Sequence, residues 1–170
     1  MQQQQDYDVT HLASSGGLKI STSAEAAGES SAIAAANQLA FNVSKDDVGT
    51  WTGGEVWESA TILARYLRDT DMDWAATRVV EVGAGAGLVG LTAAKCGACE
   101  VWLTDQVLHL AAHNADQNFP DAERARVKLQ TMKWGDVETI SRVCSGGGFD
   151  LILASDVIYH PQHVRHLGPS

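Results

Sequence analysis

The chain is short of positive charge: twelve Lys and Arg stand against 21 Asp and Glu in 170 residues, a formal net charge of −9. That balance excludes a general binder of nucleic acid or anionic membrane and suits a partner with a basic face. No arginine precedes Arg65, which argues against a transit peptide, and no charged n-region leads into an apolar core as in a secretory signal. No apolar run is long enough to span a bilayer. The cytosol is the expected location, with the nucleus open. Three cysteines do not make a disulfide framework. Cys96-Gly97-Ala98-Cys99 has C-x-x-C spacing but closes a helix and precedes a strand. A redox pair needs a helix N-terminus to stabilise its thiolate, and a zinc site needs a second pair. These two are expected as packed cysteines at a helix end.

The length suits one domain with its own core. Residues 1–40 are rich in Gln, Ser, Ala and Gly, with few large apolar side chains. They read as a low-complexity, mostly disordered segment with one short helix over Ala32 to Leu39. From Phe41 the composition changes, and the domain is expected over residues 41–170.

One stretch organises that domain: Val79-Val80-Glu81-Val82-Gly83-Ala84-Gly85-Ala86-Gly87-Leu88-Val89-Gly90. A short buried strand, alternating glycines and an apolar helical run form the strand–turn–helix that brings backbone close to a nucleotide-like ligand. Two registers compete. Gly85-x-Gly87-x-x-Gly90 fits the dinucleotide fingerprint, and Asp105 lies about 20 residues on, where that fingerprint wants a ribose-binding acid. Glu81-x-Gly83-x-Gly85-x-Gly87 instead places the carboxylate at the strand's carboxyl end, facing the ligand crevice. A buried unpaired carboxylate is costly, so the second register is physically better.

Around this stretch the pattern is α/β. Thr52-Gly53-Gly54-Glu55 has capping-box spacing, and Val56, Ala60, Leu63 and Leu67 then mark one apolar helix face. Trp57, beside that face, reads as a core or edge aromatic or as a wall of the cofactor pocket. The helix Leu88 to Lys95 ends at Gly97. Glu100 to Thr104 is a second strand with Asp105 at its end. A helix over Leu108 to Phe119 stops at Pro120. Val127 and Leu129 mark a third strand leading to Lys133-Trp134-Gly135-Asp136, and a short helix covers Val137 to Val143. Phe149 to Ala154 is a fourth strand, apolar enough to be covered on both faces. The alternation predicts a parallel, doubly wound sheet. His109 and His113, four apart, read as surface residues, and His160, His163 and His166 do not make a metal site. No metal is expected.

The order Trp57, Glu81-x-Gly83-x-Gly85-x-Gly87, Thr104-Asp105-Gln106, Trp134-Gly135 and Asp156-Val157-Ile158-Tyr159 resembles the methyltransferase-like protein lysine methyltransferases. These are a seven-β-strand, Rossmann-like family that uses S-adenosylmethionine. The resemblance implies that Gly83, Ala84 and Gly85 cradle the cofactor's methionine part and that Asp105 takes its ribose hydroxyls. It implies further that Trp134 and Ser155 flank the adenine and that Trp57 closes the near side. Asp156 would orient a substrate amine by a hydrogen bond, with Tyr159 as an aromatic wall. The implied substrate is a lysine-bearing protein, the family's substrates including chaperones and translation factors.

About four of the seven strands are found before the chain stops at Ser170, shortly after the D-x-x-Y motif. A partial domain is therefore expected, with strand four as an exposed edge that leaves Ile152 wet, low stability and weak or no turnover. Two other functions fit the loop: a non-catalytic cofactor- or partner-binding module, and a nicotinamide-dependent oxidoreductase using the Gly85-Gly87-Gly90 register.

Overall fold

The computed structural model describes Leu18, Ile20 and residues 53–158. Within them helix α1 spans Glu58–Asp69, and a 3-10 turn at Trp74–Ala76 leads into strand β1, Arg78–Val82. Helix α2 (Leu88–Cys96), strand β2 (Glu100–Asp105), helix α3 (His109–Asn118) and a four-residue helix α4 (Asp121–Arg124) follow. Strand β3 (Val127–Thr131), helix α5 (Val137–Val143), a 3-10 turn at Cys144–Gly146 and strand β4 (Leu151–Leu153) complete the order. The four strands form one sheet in the order β3-β2-β1-β4, every pair parallel.

Parallel register lines up one apolar face: Val79 stands beside Val101 and Leu151, and Glu81 beside Leu103 and Leu153. Helix α2 lies against β1 and β2, and α1 packs on α2 through its buried Ala64 and Leu67. Every residue of α2 from Leu88 to Ala94 is buried, as expected of a helix sandwiched between a sheet and another helix. Gly97 ends α2 in the left-handed conformation, φ 108°, as its sequence position predicts.

The amino end of the sheet is stapled by Arg78. Its guanidinium donates to Glu100 Oε2 at 2.9 and 2.6 Å and to the Gly148 carbonyl at 2.5 Å, and it lies over the Phe149 ring. The Arg78 amide donates to Asp150 Oδ2 at 2.8 Å. These bonds tie the amino ends of β1, β2 and β4 together, leaving their carboxyl ends to the glycine loop and its neighbours.

Several sequence expectations need correction. Helix α1 starts at Glu58, with Trp57 as N-cap and no side-chain cap bond, so the Thr52-to-Glu55 capping box does not start it. Gly53 and Gly54 instead form a turn that reaches the glycine loop. Strand β4 is three residues long, and among the described residues it is not covered on both faces. It lies at the edge of the sheet these residues form, and Ile152, aligned with Val80 on the face opposite α2, is 69% exposed. Leu18 falls in the segment that reads as low-complexity, yet it is 5% exposed and joins the core. The helix expected over Ala32 to Leu39 and the histidines at 160, 163 and 166 lie outside the described residues.

Cys99 Sγ donates to the Thr77 carbonyl at 3.1 Å, and burial pushes the half-buried Cys96 thiol up, which keeps it from the thiolate form. Among the described residues no helix is long and apolar enough to cross a membrane.

Candidate cofactor site at the carboxyl edge of the sheet

The loop between β1 and α2 turns on three left-handed glycines, Gly83, Gly85 and Gly87, with φ of 70°, 53° and 86°. Larger residues avoid that region, so the alternation Gly-Ala-Gly-Ala-Gly is what lets the chain double back. The turn is held from inside. The Gly83 and Ala84 amides donate to the Thr104 carbonyl at 2.9 and 3.0 Å, and the Gly87 amide to the Ala84 carbonyl at 2.7 Å. The Gly85 amide donates to Asp105 Oδ2 at 2.8 Å. Asn114, fully buried on α3, donates Nδ2 to the Ala86 carbonyl at 2.9 Å.

Four loop amides are engaged in the fold, as are the carbonyls of Ala84, Ala86 and Gly87, which leaves the Gly83 and Gly85 carbonyls as the loop's candidate acceptors. Carbonyls accept from an ammonium group. The free volume is tight. A Cβ on Gly83 would stand 3.0 Å from Val157 Cγ1 and 3.3 Å from Trp134 Cζ2, and one on Gly85 would stand 3.1 Å from the Gly53 carbonyl oxygen.

Asp105 closes β2 beside this loop. Oδ2 holds Gly85, and Oδ1 accepts from the Gln106 amide at 2.6 Å. Burial raises its pKa, while the amide bonds from Gly85, Val107 and Gln106 pull the other way. Oδ1 also accepts from the Val107 amide at 3.4 Å, so the lone pair left on Oδ2 is the position at which an acid already oriented by amides can take a ligand hydroxyl. The chemistry of this set fits a ligand with an amino group and a vicinal diol, and S-adenosylmethionine has both.

Glu81 is the main correction to the sequence reading. It does not face the crevice: it is 2% exposed and sits under α2, where Oε2 accepts from the Gly90 amide at 2.8 Å. Gly90 is the third residue of α2, and its amide is one of the donors that a helix leaves without an internal partner. Gly87 at the N-cap has no side chain to cap them, so the strand below supplies a carboxyl group at the positive end of the helix. Burial pushes the Glu81 pKa up to about 8 against the pull of the Gly90 amide, with Asp105 nearby adding to the rise. The cost of burial is thus offset by a capping bond and by protonation, not by the crevice. Gly90 also explains why both glycine registers match: the third glycine of the dinucleotide pattern is used here for close packing of helix on strand, not to choose a ligand.

This burial has a pH consequence. The folded Glu81 holds its proton up to about pH 8, and the unfolded one releases it near its ordinary value of 4.5. The folded state therefore binds more protons in that interval, and stability falls as pH rises from about 4.5 to about 8, then levels off. Glu81→Gln, which keeps an oxygen for Gly90, is expected to lose less thermal midpoint between pH 5 and pH 9 than the parent. Asp105 is raised in both proteins, so the difference between the two slopes isolates Glu81. Equal slopes would contradict the assignment.

Of the remaining expected residues, Trp134 and the turn that holds Asp156 lie at the same edge. Trp134, after β3, and Val157, after β4, converge on Gly83. Trp57 caps α1 and is half exposed. Ser155 and Asp156 form a bend after β4, and Asp156 has φ 53°. The Ser59 hydroxyl donates to Asp156 Oδ2. Tyr159 lies outside the described residues. Sequence reasoning misses Asn114, Val157 and Ser59, and it takes Gly90 as a glycine of the dinucleotide register where the structure uses it to pack α2 on Glu81.

Comparison with known proteins identifies the family. The family model for lysine methyltransferases matches residues 36–169. Zebrafish (Danio rerio) protein N-lysine methyltransferase METTL21A is 36% identical over 106 residues, 61% of this chain and 47% of the relative. Its mouse (Mus musculus) counterpart is 37% identical over 107 residues, with the same shares. Mouse EEF1A lysine methyltransferase 3 is 35% identical over 106 residues, 61% of this chain and 43% of the relative. The chain spans about half the length of the curated relatives it matches. A family model that covers most of the chain, over a parallel α/β sheet with the glycine loop and Asp105 at its carboxyl edge, places the protein in the lysine methyltransferase family.

Proposed function

We propose that this chain carries the cofactor site and acceptor-orienting acid of an S-adenosylmethionine-dependent protein lysine N-methyltransferase. The observation that carries the reading is convergence: the glycine loop, Asp105, Trp134 and Asp156 follow four strands and meet at one sheet edge. When bound, S-adenosylmethionine supplies a methyl group on a positive sulfonium, open to in-line displacement by an amine lone pair. Gly83 and Gly85 would hold its amino end through their carbonyls, and Asp105 would take its ribose hydroxyls from the side of Oδ2. Trp134 and Ser155 flank the adenine, and Trp57 closes the near side. Gly87 and Ala84 shape the turn. Glu81 acts on the cofactor indirectly, by fixing the start of α2.

Asp156 accepts a hydrogen bond from the substrate amine and aligns its lone pair. A carboxylate also favours the protonated amine, so its contribution is positioning rather than base strength. Tyr159 is assigned the aromatic wall that the family resemblance implies. The substrate is a protein that presents a lysine, and the net charge of −9 favours one with a basic face. One relative is named for EEF1A as its substrate, and a substrate of that kind belongs to the proposal, as does residence in the cytosol or nucleus.

The test is transfer of labelled methyl from S-adenosylmethionine to lysate proteins. Asp156→Ala is expected to lower the rate at least about tenfold, with S-adenosylhomocysteine affinity kept. Parent-like transfer by Asp156→Ala would sink the role of that residue. Label on residues other than lysine would sink the lysine assignment.

A further inference from the structure

We propose that Ser59 is the positioning residue for Asp156, locking the acceptor-orienting carboxylate to the helix that carries the cofactor wall. The proposal deepens the functional reading above and rests on its assignment of Asp156. Asp156 is exposed, yet its backbone is left-handed, with φ 53°. Among the described residues it is the one non-glycine with a positive φ. A side chain in that region persists where its surroundings over-determine it. One such tie comes from 97 positions away, where the Ser59 hydroxyl donates to Asp156 Oδ2.

Ser59 is the second residue of α1, a 12-residue helix, two positions after Trp57. The bond therefore brings the Asp156 carboxylate to the first turn of α1. It also ties the turn after β4 to the helix start that holds Trp57, so the groups proposed for acceptor and cofactor move as one unit. With Oδ2 held by Ser59, the plane of the carboxylate is set and Oδ1 remains for an amine. A freely rotating carboxylate at the same place would meet the amine in the right orientation only part of the time.

The test compares Ser59→Ala, Ser59→Thr and Asp156→Ala in the full 170-residue chain. Three readouts are taken: the order parameter of the residue-156 amide, calorimetry with S-adenosylhomocysteine, and labelled methyl transfer to lysate proteins. Ser59→Ala is expected to lower that order parameter from about 0.85 to below about 0.6. Affinity for S-adenosylhomocysteine stays within about twofold, and the rate of methyl transfer falls about fivefold. Ser59→Thr keeps the hydroxyl, so it holds the amide rigid and retains more turnover than alanine. An unchanged order parameter in Ser59→Ala, or equal losses in alanine and threonine, overturns the proposal. Parent-like turnover in Asp156→Ala overturns instead the assignment of Asp156, and this failure is distinguishable because the effect of Ser59 on the amide would remain.

Discussion

Asp105→Ala is expected to weaken S-adenosylhomocysteine binding by about 100-fold or more. Two losses combine. The Gly85 amide, 2.8 Å from Asp105 Oδ2, loses its acceptor in a largely buried site, and the loop loses the bond that sets Gly85. An orphaned buried donor costs about 1–3 kcal/mol, and hydrogen bonds from ligand hydroxyls to a charged group contribute about 1.5–3 kcal/mol. Even a partial sum near 3 kcal/mol is a factor of more than 100 in dissociation constant. Asp105→Asn retains an acceptor oxygen but not the charge, so its affinity should fall between the parent and the alanine variant. Isothermal calorimetry measures both, with thermal unfolding to confirm that each variant is folded. An affinity for Asp105→Ala within about threefold of the parent would remove Asp105 from the site.

Gly90→Ala should lower the thermal midpoint by about 5–15 °C. A Cβ at residue 90 would stand 2.3 Å from Leu103 Cδ2 and 2.7 Å from Glu81 Oε2. Neither neighbour has somewhere to go. Leu103 is fully buried, so its side chain cannot swing out into solvent. Glu81 is buried and bonded to the Gly90 amide itself. Helix α2 must therefore lift from the sheet, loosening the buried Val89 and Leu91 and the capping bond. Overpacking of this kind costs about 1–3 kcal/mol. Because the glycine loop enters α2 directly, cofactor affinity should fall with stability. An alanine variant that melts like the parent would show that helix and strand can part at this point without loss.

Elements governed by local chemistry are legible in the amino-acid sequence. Val79 to Val82, the Gly97 cap and the helix Val137–Val143 sit where the sequence puts them, since each depends on neighbours within a few positions. Helix α4 escapes a reading that takes Pro120 only as a stop, although Pro120 followed by Asp121 and Glu123 also suits a helix start. Side-chain destinations set by tertiary contact are less accessible. Glu81 follows the strand's alternation, but whether its face meets solvent or a helix depends on where α2 lies. Asn114 reaches Ala86 across 28 positions, and Ser59 reaches Asp156 across 97. No spacing rule links such pairs. The family's motif order is legible because its residues sit at strand ends, and a parallel sheet brings strand ends together whatever the loop lengths.

The central claim is that the glycine loop and Asp105 make an S-adenosylmethionine site and not a dinucleotide site. Calorimetry on the 170-residue chain, titrated side by side with S-adenosylhomocysteine and with NAD, tests it most directly. Saturable heat is predicted from S-adenosylhomocysteine alone, and it should be lost in Asp105→Ala. Saturable heat from NAD, with none from S-adenosylhomocysteine, would contradict it.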